Sequence, residues 1–159
     1  MKGEFTSEQI VDLLDIELPG NAREDYFLRK LHDDCKAMPL HGPLIEALRH
    51  ASSSWYVVIA TDNMDCLASM AKKRRDIRSF ADDLISSSDV GVLKAENPIA
   101  FFGRWLEARD LAFKDATLID DGKENCSAFD AVGGTSRYVR NPDDAASAVW
   151  ELLQQARSG

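Results

Sequence analysis

The sequence predicts an α/β sandwich built around a mainly parallel sheet. Strands alternate with helices from residue 43 onward, a pattern typical of right-handed βαβ units. The clearest strand, residues 55–60, is apolar on both faces, as strands inside parallel sheets are. A length of 159 residues suits one core, and 45% apolar with 29% charged residues excludes a disordered, collagen-like or coiled-coil chain.

The amino-terminal part of the chain is predicted to be helical. Residues 6–18 open on a capping sequence and carry apolar residues at helical spacing. A Pro-Gly-Asn turn follows, and residues 22–37 form a second, charge-rich helical segment. We therefore expect two regions, a helical segment over residues 1–37 and an α/β core over residues 38–159.

The elements of the core follow from apolar periodicity and from the turn residues between them. Pro43 suits the first turn of a helix, where its missing N–H has no partner to lose. Gly133 and Gly134 end the penultimate helix. In chain order, the predicted helices are 43–51, 64–75, 98–109, 124–132 and 142–156, and the predicted strands are 55–60, 84–86, 116–119 and 136–139.

Charge and cysteine usage narrow the class of protein. Acidic side chains outnumber basic ones by 27 to 19, a net charge of -8, which argues against general binding to nucleic acid or to anionic membranes. We see no signal peptide and no apolar run long enough for a spanning helix. The cysteines, Cys35, Cys66 and Cys126, lack metal-site or disulfide spacing, so we expect free thiols and a cytoplasmic protein.

Polar residues follow three of the predicted strands, at the edge of the sheet where ligands bind. The run Thr61–Asn63 places a hydroxyl before a helix, which suits a phosphate group or a simple helix cap. Lys94 precedes the next helix and either neutralises a phosphoryl group or is an ordinary solvated lysine. Asp120 and Asp121 end the third strand, where a pair of carboxylates suits Mg²⁺ or a turn.

Together these segments resemble the haloacid dehalogenase-like (HAD) superfamily of phosphohydrolases and phosphotransferases. Residues 57–63 are similar to its second motif, an apolar strand ending in Thr or Ser. Residues 91–98 are similar to the third motif, a lysine before a proline-started helix, and residues 117–125 to the fourth. The resemblance covers about residues 38 to 140. It implies a Rossmann-like three-layer sandwich and Mg²⁺-dependent hydrolysis of a phosphate monoester through an aspartyl-phosphate.

The resemblance also implies a role for each residue at the strand ends. Thr61 would hydrogen-bond the phosphoryl oxygens, and Lys94 would stabilise the charge on the nucleophile and the phosphate. The expected ligand is a small phosphorylated molecule. The implied phosphate-binding residues are Thr61, Asp62, Asn63 and Lys94. The implied metal site is Asp121, with Asp120 and Asn125 in support.

The family's first motif, a DxD sequence on the central strand, has no convincing copy here. Residues 13–18 offer one candidate, with Asp15 as the nucleophile and Glu17 as the general acid. Glu replaces the second Asp, Pro-Gly replaces the usual Gly-Thr, and Asp12 would lie inside the proposed buried strand. A helix over residues 7–18 is the simpler interpretation.

A helix there leaves three alternatives for the missing strand. It lies on an absent segment or another polypeptide, so that a complementing chain or a homo-oligomer is expected. Alternatively, the sheet closes up without it, leaving an inactive module that binds a phosphorylated ligand or protein partner. In the third alternative, residues 7–18 and 22–37 are remnants of a helical cap whose other half is missing with the strand. The residues are compatible with all three.

Overall fold

A computed structural model describes residues 2–13 and 26–158, which contain eight α-helices, four strands and two short 3₁₀ turns. The helices are α1 Ser7–Leu13, α2 Tyr26–Ala37, α3 Gly42–Ala51, α4 Asp65–Lys73, α5 Ser87–Val90, α6 Pro98–Glu107, α7 Lys123–Ala131 and α8 Pro142–Ser158. The strands are β1 Val58–Thr61, β2 Asp83–Ser86, β3 Thr117–Asp120 and β4 Thr135–Tyr138.

The predicted cap of the first helix is confirmed by reciprocal hydrogen bonds. Thr6 N–H donates to Gln9 Oε1 at 2.8 Å, and Gln9 N–H donates to Thr6 Oγ1 at 3.2 Å. Ser7 is buried and donates its N–H and its hydroxyl to the Asp65 carboxylate, which ties α1 to the start of α4. Helix α2 contacts both α1 and α4. The candidate nucleophile Asp15 lies outside the described residues.

The four strands form two separate parallel pairs. In the first pair β1 lies beside β2, with Val58 opposite Asp83. In the second pair β3 lies beside β4, with Thr117 opposite Thr135. Within residues 2–13 and 26–158, no hydrogen-bonded ladder joins β1 to β3. The expected parallel pairing is confirmed, and no strand among the described residues joins the two pairs into one sheet.

Helices cover both faces of the two strand pairs, which confirms the three-layer arrangement. On one face α3 and α8 pack against each other, with Val57 and Ile119 of the strand layer beneath them. On the other face the aromatic residues of α6 and α7 pack on Ile85 and Leu118. Because these clusters include residues of both strand pairs, the helices hold the pairs in one body.

The structure shifts some predicted boundaries. Strand β1 begins at Val58 and not at Trp55, and Tyr56 is 61% exposed, where it lies edge-on to the ring of Trp105. All four residues of β1 are half-buried, although three of them are apolar. Helix α5 was not predicted, because it is a single turn. No helix among the described residues is both long enough and apolar enough to cross a bilayer.

Candidate active site

A buried ion pair lies where β1 and β3 end. Lys94 Nζ donates to Asp120 Oδ2 at 2.6 Å and to the Ala60 carbonyl oxygen at 3.3 Å. The two charged side chains are only 9% and 6% exposed. The ammonium therefore spans the gap between the carboxyl-terminal ends of β1 and β3, two strands that are not paired with each other.

The loop before α6 places Lys94 at this position. Gly91 ends α5 with a φ of 83°, a left-handed conformation that favours glycine. The backbone N–H of Lys94 donates to Asp62 Oδ1 at 3.1 Å, which ties the loop to the residue after β1. Pro98 begins α6, as the sequence predicted, and the structure adds Asn97 as its cap.

Three donors hold the Asp120 carboxylate. Besides Lys94, the Gly122 N–H and the Asn125 side-chain amide donate to Asp120 Oδ1 at 2.7 and 2.9 Å. Burial by itself raises the pKa of Asp120, but the hydrogen bonds from Lys94, Asn125 and Gly122 outweigh burial, so the pKa lies below its ordinary value. Asp120 is therefore ionised at neutral pH and fixes the position of the ammonium.

Gly122 is a site residue that the sequence did not single out. A Cβ there would lie 2.6 Å from Asn125 Nδ2 and 3.0 Å from Asp120 Oδ1. Only a glycine lets the turn after β3 wrap this closely around the carboxylate. Its position directly after two aspartates was the available signal.

Residues 61–63 lie at the same edge, and of their side chains Asp62 hydrogen-bonds Lys94, through the backbone N–H of the lysine. Asn63 Oδ1 accepts the N–H of Met64, so it caps the approach to α4. Thr61 has no side-chain hydrogen bond to another described residue and lines a mainly apolar cavity of about 280 Å³ that also borders α3 and α4. The sequence-predicted site residues therefore form a tight group around Asp120 and a looser group at 61–63.

The predicted metal site presents one exposed carboxylate and one that is already hydrogen-bonded. Asp121 is exposed, whereas both oxygens of Asp120 already accept hydrogen bonds. No group of three or more His, Cys, Asp or Glu side chains with metal-site geometry occurs in the part of the chain that is described. Mg²⁺ commonly binds through one or two carboxylates, substrate phosphates and water. The exposed Asp121 carboxylate is compatible with that mode and not with an all-protein cage, and its role in metal binding, with Asp120 and Asn125 in support, stays a prediction.

Comparisons with known proteins agree with this architecture. No family model and no curated protein matches the chain. A predicted HAD-like family hydrolase from Porphyromonas gingivalis is similar, with a TM-score of 0.72 and 14% identity over 96% of this chain and 76% of that one. A HAD family enzyme from Bacteroides thetaiotaomicron has a TM-score of 0.61 and 14% identity over 82% of this chain and 66% of that one.

The Bacteroides enzyme was crystallised as an aspartate-to-alanine mutant in complex with magnesium and inorganic phosphate. At 14% identity, both likenesses concern the arrangement of the chain in space. The chain has the HAD-like fold.

Proposed function

We propose that this chain, with its HAD-like fold, is a phosphohydrolase-type domain that binds a small phosphate monoester at the carboxyl edge of its strands. The observation that carries the proposal is the buried pair of Lys94 and Asp120 at that edge. A buried ion pair is a poor source of stability, because desolvation offsets most of the attraction. An ammonium held in place by a carboxylate is, however, well suited to stabilise charge on a phosphoryl group.

Each residue of the site has a part in this proposal. Lys94 supplies the positive charge, and Asp120 and Asn125 keep it in position. Thr61 and Asn63, at the entrance to α4, supply a hydroxyl and an amide for the phosphoryl oxygens. Mg²⁺, when held at Asp121, would neutralise part of the phosphate charge.

Binding without turnover is a second candidate function, favoured by one observation. Among the described residues, the carboxylate that accepts from the Lys94 ammonium is Asp120, and its oxygens are already occupied by three donors. A nucleophile that forms an aspartyl-phosphate would then come from elsewhere, and Asp15 is the chain's own candidate. Without it, the domain is a module that binds a phosphorylated ligand.

Calorimetric titration with inorganic phosphate, with and without millimolar Mg²⁺, tests the binding site. Lys94→Gln should weaken phosphate binding at least tenfold, which corresponds to about 1.4 kcal/mol. Lys72→Gln is the matched control, because Lys72 is an exposed lysine paired with Asp89 away from the strand ends. Equal affinity in wild type and a folded Lys94→Gln variant would contradict the proposed site.

Two further measurements address the metal and the reaction. Asp121→Asn should abolish the rise in melting temperature that Mg²⁺ and phosphate together produce in the wild type. Hydrolysis of a generic phosphomonoester that is lost in Asp15→Asn would establish the phosphohydrolase with its own nucleophile. Phosphate binding with no hydrolysis in either protein would establish the binding module.

A further inference from the structure

Two of the three cysteines are neighbours in the fold, although all three are far apart in the sequence. All three are buried free thiols. Cys35 lies in the last turn of α2 and Cys66 in the first turn of α4, and their sulfur atoms are 3.9 Å apart. Cys126, in α7, donates instead to the Asp120 carbonyl oxygen at 3.7 Å. The fold therefore contains one pair of thiols and one thiol whose partner is a backbone carbonyl.

The packing of two helices brings the pair together. Helix α2 lies against α4, although Cys35 and Cys66 are separated by 31 positions in the chain. The start of α4 is held a second time by α1, because Ser7 donates its N–H and its hydroxyl to Asp65, the residue before Cys66. The two cysteines are only 9% and 4% exposed. The packed helices thus fix the two sulfur atoms as enclosed neighbours.

The geometry of the pair suits a covalent bond between the two sulfur atoms. A disulfide has a sulfur–sulfur distance of about 2.05 Å, so the atoms need to approach by roughly 1.9 Å. Each cysteine side chain has one torsion that moves its sulfur atom, and rotation about both torsions brings the atoms closer. Within residues 2–13 and 26–158, no third His, Cys, Asp or Glu side chain completes a metal site with the pair. Oxidation is therefore the chemistry that this pair supports best.

The surroundings of the two thiols give them different parts in such a reaction. Burial and the neighbouring Cys66 sulfur raise the pKa of the Cys35 thiol to about 11, so Cys35 stays protonated at neutral pH. Cys66 lies at the amino end of a nine-residue helix, where the helix dipole favours negative charge. Because the thiolate is the reactive form of cysteine, Cys66 is the sulfur that meets an oxidant first.

We propose that Cys35 and Cys66 form a redox modification site, which hydrogen peroxide converts into a disulfide that clamps α2 to α4. A small oxidant suits side chains that are almost closed to solvent. The site is separate from the strand-end group around Lys94 and Asp120. Disulfides that form and are reduced again by thiol exchange commonly serve as redox sensors in proteins.

The reaction proceeds in two balanced steps. The Cys66 thiolate attacks one peroxide oxygen and becomes a sulfenic acid, and the O–O bond breaks. The other oxygen leaves as hydroxide, which takes up the proton that Cys66 released and becomes water. The Cys35 sulfur then attacks the Cys66 sulfur, the S–O bond breaks, and the Cys35 proton leaves with the hydroxyl group as a second water. Two thiols are oxidised, and one hydrogen peroxide is reduced to two waters.

Mass spectrometry of the full chain tests the disulfide. The reduced protein is treated with hydrogen peroxide, unfolded, and alkylated at its remaining thiols. We expect the loss of two hydrogen atoms, one alkylated thiol in place of three, and a peptide that joins Cys35 to Cys66. Dithiothreitol added before alkylation should restore all three thiols. Sulfinic acid on Cys66 with no linked peptide, linkage through Cys126, or no reaction would each overturn the proposal.

The third cysteine supplies a matched control variant. Cys126 is as deeply buried as the pair, at 6% exposure, but its hydrogen-bond partner is a carbonyl oxygen. Cys126→Ser should form the disulfide at a rate within twofold of wild type, whereas Cys66→Ser should form no internal disulfide. Loss of the disulfide in a folded Cys126→Ser protein would contradict the assignment to Cys35 and Cys66. The linked peptide of the wild type needs no variant to be folded.

Melting temperatures measure the clamp itself. Because the disulfide closes a loop of 31 positions, oxidised wild type should melt about 4 °C or more above the reduced protein. Cys126→Ser should show the same rise, and Cys66→Ser should show none. A melting temperature that is unchanged or lower once the linked peptide has formed would overturn the clamp. Neither readout involves phosphate, so this proposal and the proposed function can fail separately.

Discussion

The buried Lys94–Asp120 pair allows a quantitative test of how much folding stability is lost when one charge of a buried ion pair is removed. The two side chains are 9% and 6% exposed and meet at 2.6 Å. Removing one partner of a buried pair costs about 3–5 kcal/mol, because the other charge stays buried without compensation. Asp120→Asn should fall at the upper end of that range, since the Lys94 ammonium then stays buried with neutral acceptors such as the Ala60 carbonyl and no carboxylate beside it. Lys94→Met should fall at the lower end, because Asp120 keeps two N–H donors.

Urea unfolding at neutral pH measures these free energies directly. A loss of about 3 kcal/mol corresponds to a fall of roughly 6–12 °C in melting temperature for a domain of this size. The control is Lys72→Met, because the Lys72–Asp89 pair has a similar length of 2.7 Å but is about half exposed, at 49% and 51%. That variant should lose less than about 1 kcal/mol.

The double variant Lys94→Met with Asp120→Asn separates pairing from packing. It should be clearly less destabilised than the sum of the two single variants, because it leaves no lone buried charge. If the double variant is additive, or if Lys94→Met costs no more than Lys72→Met, the reasoning from burial is wrong.

Three further outcomes follow from the same neighbourhood. The folded-state pKa of Asp120 is depressed, so the stability that its ionised carboxylate contributes is fully present above the unfolded carboxyl pKa of about 3.9. That stability is lost as pH falls through the folded-state pKa. The difference in unfolding free energy between wild type and Asp120→Asn should therefore shrink below about pH 4. Gly122→Ala should lower the free energy of unfolding by about 1–3 kcal/mol, because the added Cβ displaces Asn125 from the Asp120 carboxylate. The control is Gly42→Ala, where a Cβ has open space, and this variant should not destabilise the protein in the same urea titration. Burial raises the pKa of the Cys126 thiol, so it should react with a disulfide reagent such as dithionitrobenzoate only slowly until the protein is unfolded; fast reaction of the native protein would contradict that burial.

Much of the fold was predictable because local chemistry repeats with the period of each element. Alternating helices and strands identified the α/β architecture, and Pro98 marked the start of α6. The polar residues after each strand identified the edge where Lys94 and Asp120 lie, since parallel strands bring their carboxyl ends together. Their roles in phosphate and metal binding stay predictions.

Other features were not predictable, because they depend on neighbours distant in sequence. The pattern of β1 indicated a strand from Trp55, but the pairing with β2 begins only at Val58. Gly122 was not singled out, since its importance lies in the closeness of Asn125 and Asp120. No local signal stated which carboxylate Lys94 would meet.

The sequence by itself determined the α/β class, the order of the elements and the three polar segments at the strand ends, because periodicity and turn residues act over a few neighbouring positions. Only the tertiary structure decided that Lys94 pairs with Asp120 and that β1 and β3 stay apart. Both depend on burial and on the spacing of strands held by packed helices. Those distances arise from the assembled core, so the cavity between β1 and β3 became visible only in three dimensions.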